Sequence, residues 1–171
     1  VPVIPGPDQG FTDPEEAMKE VKKIGFPLII KAVAGGGGRG IRLIEDEKSF
    51  EAIFQEASHE ANMAFGDPHL YLEKYFENPK HIEIQVIADE HGNCIHLGER
   101  DCSSQRRKQK VIEETPSPVI DADKRKSIGN KVTQALKHLK YTNAGTVEFL
   151  YENGRFYFME MNTRIQVEHP I

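Results

Sequence analysis

Residues 156 to 168, Phe-Tyr-Phe-Met-Glu-Met-Asn-Thr-Arg-Ile-Gln-Val-Glu, limit what this chain can become more than any other stretch. Side chains along a strand alternate between faces. A period of two puts Glu160, Asn162, Arg164, Gln166 and Glu168 on one face and Tyr157, Met159, Met161, Ile165 and Val167 on the other. A solvent-facing edge strand gives the same alternation. The make-up of the polar set points elsewhere. Outer faces are dominated by Lys, Thr and Glu, whereas this one carries a carboxylate, an amide, a guanidinium, an amide and a carboxylate. Such groups hold a divalent cation, clamp an anion and move a proton. At about 3.3 Å per residue, Glu160 and Asn162 lie close enough to share a metal, while Glu168 reaches them only if the chain bends after Arg164.

The residues before this run predict two α+β units. Val1 to Gly10, rich in Pro and Gly, reads as a linker. Asp13-Pro14-Glu15-Glu16 starts a helix that stops at Gly25. Pro27 to Val33 is a short buried strand carrying Lys31. Gly35 to Gly40 then satisfies G-x-G-x-x-G, but Ile41-Arg42-Leu43-Ile44 alternates like a strand, so the loop does not open the helix a dinucleotide fingerprint needs. Gly-Lys-Ser/Thr of a Walker loop is absent as well. Two readings stand: a phosphate cradle of backbone N–H groups, favoured by Arg39 and Lys31, or a plain flexible hairpin. Asp46 to Phe65 is helical, with Phe50, Ile53, Phe54, Ala57, Ala61 and Ala64 as its apolar stripe. Leu70 to Tyr75 is a strand, closing a first unit of residues 1–75 with the glycine loop as its lid.

In the second unit, 76–171, His81–Ala88 and Cys94–Glu99 form a hairpin about Asp89–Asn93. His81, His91 and His96 lack a metal spacing. The only basic cluster, Arg100 to Lys110, carries no interleaved aromatics, and the chain's net charge of −5 gives no nucleic-acid footprint. A local anion site suits it better. Asp121 caps a helix to Lys140 with Ile128, Val132, Ala135, Leu136 and Leu139 on its buried stripe. Gly145–Tyr151 and Gly154–Asn162 make a second hairpin, which sets Glu148 beside Glu160 on adjacent strands. Alone, Glu148 is equally well an exposed strand residue; with Glu160 and Asn162 it suits a divalent ion that bridges phosphates. No apolar run approaches the ~20 residues of a membrane span. Cys94 and Cys102 have no metal or redox spacing and read as free thiols, with a structural disulfide as the lesser alternative. The absence of an initiator Met and the stop just after the most informative run suggest a piece of a longer protein.

Taken together, Ile30-Lys31-Ala32 with the glycine loop, Glu73-Lys74-Tyr75, Glu99-Arg100-Asp101-Cys102-Ser103 with Gln105-Arg106-Arg107, Gly145-Thr146-Val147-Glu148-Phe149 and Glu160 to His169 resemble the biotin carboxylase domain of biotin-dependent carboxylases. The resemblance runs in order through the whole chain. It implies an α+β ATP-grasp fold, with 1–75 as the lid subdomain and 76–171 as the first half of the large subdomain. It also implies MgATP-driven activation of bicarbonate to carboxyphosphate, followed by carboxylation of biotin. By the same resemblance Lys31 and the loop of Gly36, Gly37, Gly38, Arg39 and Gly40 hold ATP phosphates. Glu73, Lys74 and Phe76 meet the adenine, while His81, Gln105 and Leu150 complete the nucleotide site. Glu148, Glu160 and Asn162 bind Mg2+ or Mn2+, with two ions expected. Lys110, Arg164, Gln166 and Val167 hold bicarbonate, and Glu168 is the base. Lys108 departs from the family, where His is common. The implied partners are a biotin carboxyl carrier, a carboxyltransferase, the remaining parts of the same domain and a second copy in a homodimer. The implied location is cytoplasmic, or an organelle matrix in a eukaryote, and the piece alone is expected to bind nucleotide weakly without turnover. The alternatives are another ATP-grasp ligase such as carbamoyl-phosphate synthetase, and a nucleotide-binding module without chemistry.

Overall fold

Two separate apolar clusters organise the chain, one within Ile4–Glu77 and one within Val1–Val3 together with Asn78–Ile171. The computed structural model describes residues 1–35, 40–106 and 109–170. Gly36, Gly37, Gly38 and Arg39 of the glycine loop, and Arg107 and Lys108 of the basic cluster, lie outside the described residues.

In the Ile4–Glu77 unit, helix α1 (Pro14–Ile24) begins where Asp13 accepts a hydrogen bond from the Glu15 amide and ends at Gly25 with φ 74°. Strands β1 (Leu28–Ala32) and β2 (Arg42–Ile44) pair antiparallel, Leu28 facing Ile44. The glycine run therefore joins two strands, as its flanks predicted. Helix α2 (Glu47–Phe65) is capped by Asp46 and stops at Gly66, whose φ of 72° and ψ of 12° suit a residue without Cβ. Strand β3 (Leu70–Lys74) adds to β1, giving a sheet in the order β2-β1-β3. Leu28, Ile30, Ala32, Leu70 and Leu72 bury one sheet face against Ala17 and Val21 of α1 and Phe50, Phe54, Ala57 and Ala61 of α2. Alternation leaves Lys31 and Glu73 on the other face.

The second unit is an antiparallel sheet of β4 (Lys80–Ala88), β5 (Cys94–Arg106), β6 (Gln109–Glu114), β7 (Asn143–Glu152) and β8 (Arg155–Asn162), in the order β6-β5-β4-β7-β8. Helix α3 (Ala122–His138), capped by Asp121 onto the Lys124 amide at 2.8 Å, lies on one face. Its Ile128, Val132 and Leu136 pack against Ile84, Val86, Ala88, Val147 and Phe149. The β7–β8 turn takes positive φ at both central residues, Asn153 at 50° and Gly154 at 80°, the backbone twist that matches paired strands.

Several expectations change. The return strand expected over Cys94–Glu99 runs further: β5 continues into the basic stretch as far as Arg106, and β6 returns from Gln109. Ala135 and Leu139 do not join the buried stripe of α3. The helix ends at His138, so Leu139 is a cap residue and is 71% exposed. The first three residues are not a free linker, since Phe158 donates its amide to the Pro2 carbonyl at 2.8 Å. Strict alternation fails inside β8 as well. Glu148 faces Glu160 while Phe149 faces Phe158, so Met159 is an extra residue, a β-bulge. Because of it, Phe156, Phe158 and Met161 all pack on the helix-side core, whereas Glu160 and Asn162 follow Glu148 to the opposite face.

Candidate functional site

The face of the five-stranded sheet away from α3 carries what β4, β5 and β7 turn from the core: His81, Glu83 and Gln85, then Arg100 and Cys102, then Thr146 and Glu148. Glu83, Gln85, Arg100, Thr146 and Glu148 are buried there. Buried charge is tolerated only when paired, and every charge here is. Arg100 donates from Nε to Glu83 Oε1 at 2.5 Å and from Nη1 to Gln85 Oε1 at 2.9 Å. Lys110, from β6, directs its ammonium to three carboxylates: Glu83 Oε2 at 2.5 Å, Glu168 Oε1 at 3.1 Å and Glu148 Oε1 at 3.2 Å.

These contacts set the protonation states. Burial alone pulls the Lys110 ammonium down, but Glu83, Glu148 and Glu168 outweigh it and hold the group above the usual lysine range. Burial pushes Glu148 up, yet His81 and Lys110 more than offset this and bring it to about 2. Glu168 is lowered too: burial opposes, while its own backbone amide and Lys110 prevail. The Cys102 thiol is pushed well up, first by burial and then by the neighbouring Glu83.

His81 is held through Nδ1. The Gln105 amide nitrogen donates to the Cys102 carbonyl at 2.9 Å and meets His81 Nδ1 at 2.9 Å. A carbonyl only accepts, so that amide atom is the NH2 and Nδ1 accepts from it; in the neutral ring the proton then sits on Nε2. His81 Nε2 is 2.9 Å from Glu148 Oε2, but too far out of line for a hydrogen bond, and it has no hydrogen-bond partner among the described residues. Leu150 stands across the ladder from His81.

The remaining predicted residues fall as follows. Asn162 Nδ2 donates to Glu148 Oε1 at 2.8 Å. Glu160 is in register with Glu148 but exposed. The expected bend comes earlier than Arg164, because β8 stops at Asn162. That early turn carries Arg164 out to solvent, where Nη1 donates to the adjacent Ile165 carbonyl at 3.1 Å, and swings Glu168 back onto Lys110. Gln166 is buried with Oε1 unpartnered among the described residues, and Val167 is 92% exposed. In the Ile4–Glu77 unit, Lys31 and Glu73 pair at 2.5 Å. Lys74 caps the chain after α1 through the Gly25 and Phe26 carbonyls at 3.3 and 3.0 Å, and Phe76 is half-buried just past β3.

One expectation is corrected here, and one residue was missed. Arg100 is no part of a surface anion site: it is 2% exposed and committed to Glu83 and Gln85. The carboxylate missed from sequence is Glu83. Its signal was present in the alternation of His81, Glu83 and Gln85, which an exposed face would equally have shown.

The donor atoms of His81, Glu83 and Glu148 lie within 4.8 Å of one another. Glu83, however, has both oxygens committed to Arg100 and Lys110, so the cation this trio already holds is an ammonium. The donor set of Glu148, Glu160 and Asn162 suits a divalent ion better: Glu160 is exposed and in register with Glu148, and Asn162, bonded to Glu148 through its nitrogen, keeps an amide oxygen to ligate.

All of residues 1–171 match the family described as carbamoyl-phosphate synthase L chain, ATP binding domain. The chain belongs to that family. Within it, the chain is 57% identical over 171 residues to a pyruvate carboxylase subunit from Methanothermobacter thermautotrophicus, spanning 100% of this chain and 35% of that protein. It is 52% identical over 172 residues to the biotin carboxylase of Nostoc sp., spanning 100% of this chain and 38% of the relative. Among solved structures it is similar to the biotin carboxylase domain of Hydrogenobacter thermophilus 2-oxoglutarate carboxylase, in complex with MgADP, ADP and bicarbonate. There the TM-score is 0.88 at 52% identity, over 100% of this chain and 38% of that one. The fold of this family member is accordingly the α+β ATP-grasp fold of biotin carboxylase domains. The chain spans little more than a third of the length of these relatives.

Proposed function

We propose that this chain carries part of the reaction centre of a biotin carboxylase, which uses ATP and bicarbonate to carboxylate biotin presented on a carrier, through carboxyphosphate. The supporting observation is the Lys110 ammonium between Glu83, Glu148 and Glu168. It ties the carboxylate suited to a divalent ion to the one suited to take a proton. Glu168, kept ionised beside Lys110, accepts the bicarbonate proton. Lys110, Arg164, Gln166 and Val167 would hold the anion, and Lys110 the negative charge that grows on the attacking oxygen.

Glu148, Glu160 and Asn162 would hold one or two Mg2+ or Mn2+ ions, whose contribution is to neutralise charge on the phosphates being transferred. Lys31 would exchange Glu73 for a phosphate oxygen, under the loop of Gly36 to Gly40. Glu73, Lys74 and Phe76 would flank the adenine, and His81, Gln105 and Leu150 the rest of the nucleotide. The carboxyltransferase, the carrier, the homodimer and the cytoplasmic or organelle-matrix setting belong to the same reading of the intact parent. So does the division into a lid, 1–75, and half of a large subdomain, 76–171.

Glu168→Gln in the intact parent tests it. Biotin-dependent ADP formation is expected to fall about 10²- to 10⁴-fold, as for a lost general base, with the KM for ATP unchanged. Wild-type carboxylation by that variant would overturn the reading. A carbamoyl-phosphate synthetase-like ligase, the second reading and one in keeping with the matched family, would form ADP with no response to biotin.

A further inference from the structure

Behind the Lys110 cluster lies a second, wholly buried layer to which none of the roles above extends. Gln85 Nε2 donates to the Gly145 carbonyl on β7 at 3.0 Å, and Gln85 Oε1 accepts from Arg100 Nη1 at 2.9 Å. The Thr146 hydroxyl donates to the same Gln85 oxygen at 3.2 Å and accepts from Arg100 Nη2 at 3.4 Å. The third guanidinium donor, Nε, goes to Glu83 Oε1. All three nitrogens of Arg100 are thus spoken for, by β4 and β7 side chains together.

A guanidinium is a flat, rigid fork, so fixing two of its arms fixes the third. We infer that Gln85, acting with Thr146 through Arg100, is the positioning residue that holds the Glu83 carboxylate and so aims the Lys110 ammonium at Glu168. Glu83 has two oxygens and gives one to each cation. If Arg100 can swing, Glu83 swings with it, and Lys110 loses its shortest contact. Gln85 and Thr146 touch neither Lys110 nor Glu168, so their effect on either would be transmitted. The inference rests on the proposed role of Lys110 and Glu168, but the aim of the lysine can be measured without turnover.

The test uses Gln85→Met in the intact parent, a change of similar volume that removes every amide hydrogen bond. Thr146→Val is the milder companion, losing only a hydroxyl, in case the first variant folds poorly. Competitive acetylation, read by mass spectrometry, compares Lys110 with the exposed Lys126. Gln85→Met is expected to raise the relative reactivity of Lys110 about tenfold, the scale of one lost hydrogen bond to a charged group. Thr146→Val moves it in the same direction by less. In parallel, kcat for biotin-dependent ADP formation drops about 10- to 100-fold, as for a reacting group misplaced by about 1 Å, while the KM for ATP holds. A lower melting temperature with Lys110 protection and kcat intact would reduce Gln85 to a structural role and overturn the inference. So would two variants with no change at all. Because the labelling needs no reaction, a parent that ignores biotin would sink the proposed function and still leave the lysine measurement to decide this one.

Discussion

Replacing Lys110 by Met keeps the side chain's length and removes its charge. Glu83 and Glu148 are 0% and 5% exposed, and Glu168 shares the same ammonium. Without it, Glu83 keeps Arg100 and Glu148 keeps Asn162 and His81, but three carboxylates stand together with too few cations. Breaking a buried ion pair costs about 3–5 kcal/mol. The pH dependence gives a second scale. Glu148 titrates at about 2 against an ordinary 4.5; at about 1.4 kcal/mol per unit, that is about 3 kcal/mol of stability, which Lys110 shares with His81. A carboxyl lowered in the folded state contributes stability that is fully present above its unfolded value and lost as pH falls through its folded one. In the wild type that loss runs from about pH 4.5 down to about 2. Lys110→Met is therefore expected to be most destabilised near pH 7, with the gap to wild type closing as pH falls below 4.5 and the carboxyls protonate. Urea midpoints at pH 7 and pH 4 measure this, with hydrogen exchange at the β4 and β7 amides to assign the loss to this unit. A loss under about 1 kcal/mol, the surface-pair range, would refute the reasoning. So would an equal loss at both pH values.

Two further changes probe the scaffold. Phe149, 1% exposed and in edge contact with Phe156 and Phe158, should cost about 3–5 kcal/mol as Phe149→Ala, with hydrogen exchange speeding in β7 and β8. A Cβ at Gly129 would come within 2.5 Å of the His96 ring, so Gly129→Ala should destabilise by about 1–3 kcal/mol despite alanine's better helix propensity, and His96→Ala added to it should recover most of the loss in the same urea measurement.

What could be read from the residues alone was whatever local chemistry decides. Helix starts at Asp13, Asp46 and Asp121, stops at Gly25 and Gly66, and the Asn153-Gly154 turn each follow from a cap or a backbone preference, and all are observed. So is the placing of Glu148 and Glu160 on adjacent strands, although counting back from the turn would set Glu148 opposite Met159, and only the bulge brings Glu160 there. The cluster around Lys110 was only half legible. Lys110 and Glu168 are 58 residues apart, and no periodicity announces that a turn after Asn162 joins them. Arg100 misled because a cation in a basic run looks solvated; only the opposing Glu83, a strand away, shows why it is buried. Leu139 misled in the opposite sense, since the helical period continued past the point where the helix ends.

Met159 has a consequence for how this sequence can vary. One additional residue lets a single strand serve two masters, aromatic anchors for the core before it and acidic equipment after it. Pairing that residue regularly instead of bulging it would swap the two sides downstream, turning Glu160 and Asn162 inward and Met161 out, although every chemical group would still be there. Deleting it would leave them in place, because Phe158 and Glu160 would then oppose the consecutive Phe149 and Glu148. Lengthening the Asn153-Gly154 tip would be far milder. At this spot the local register is the guarded quantity, more than residue identity.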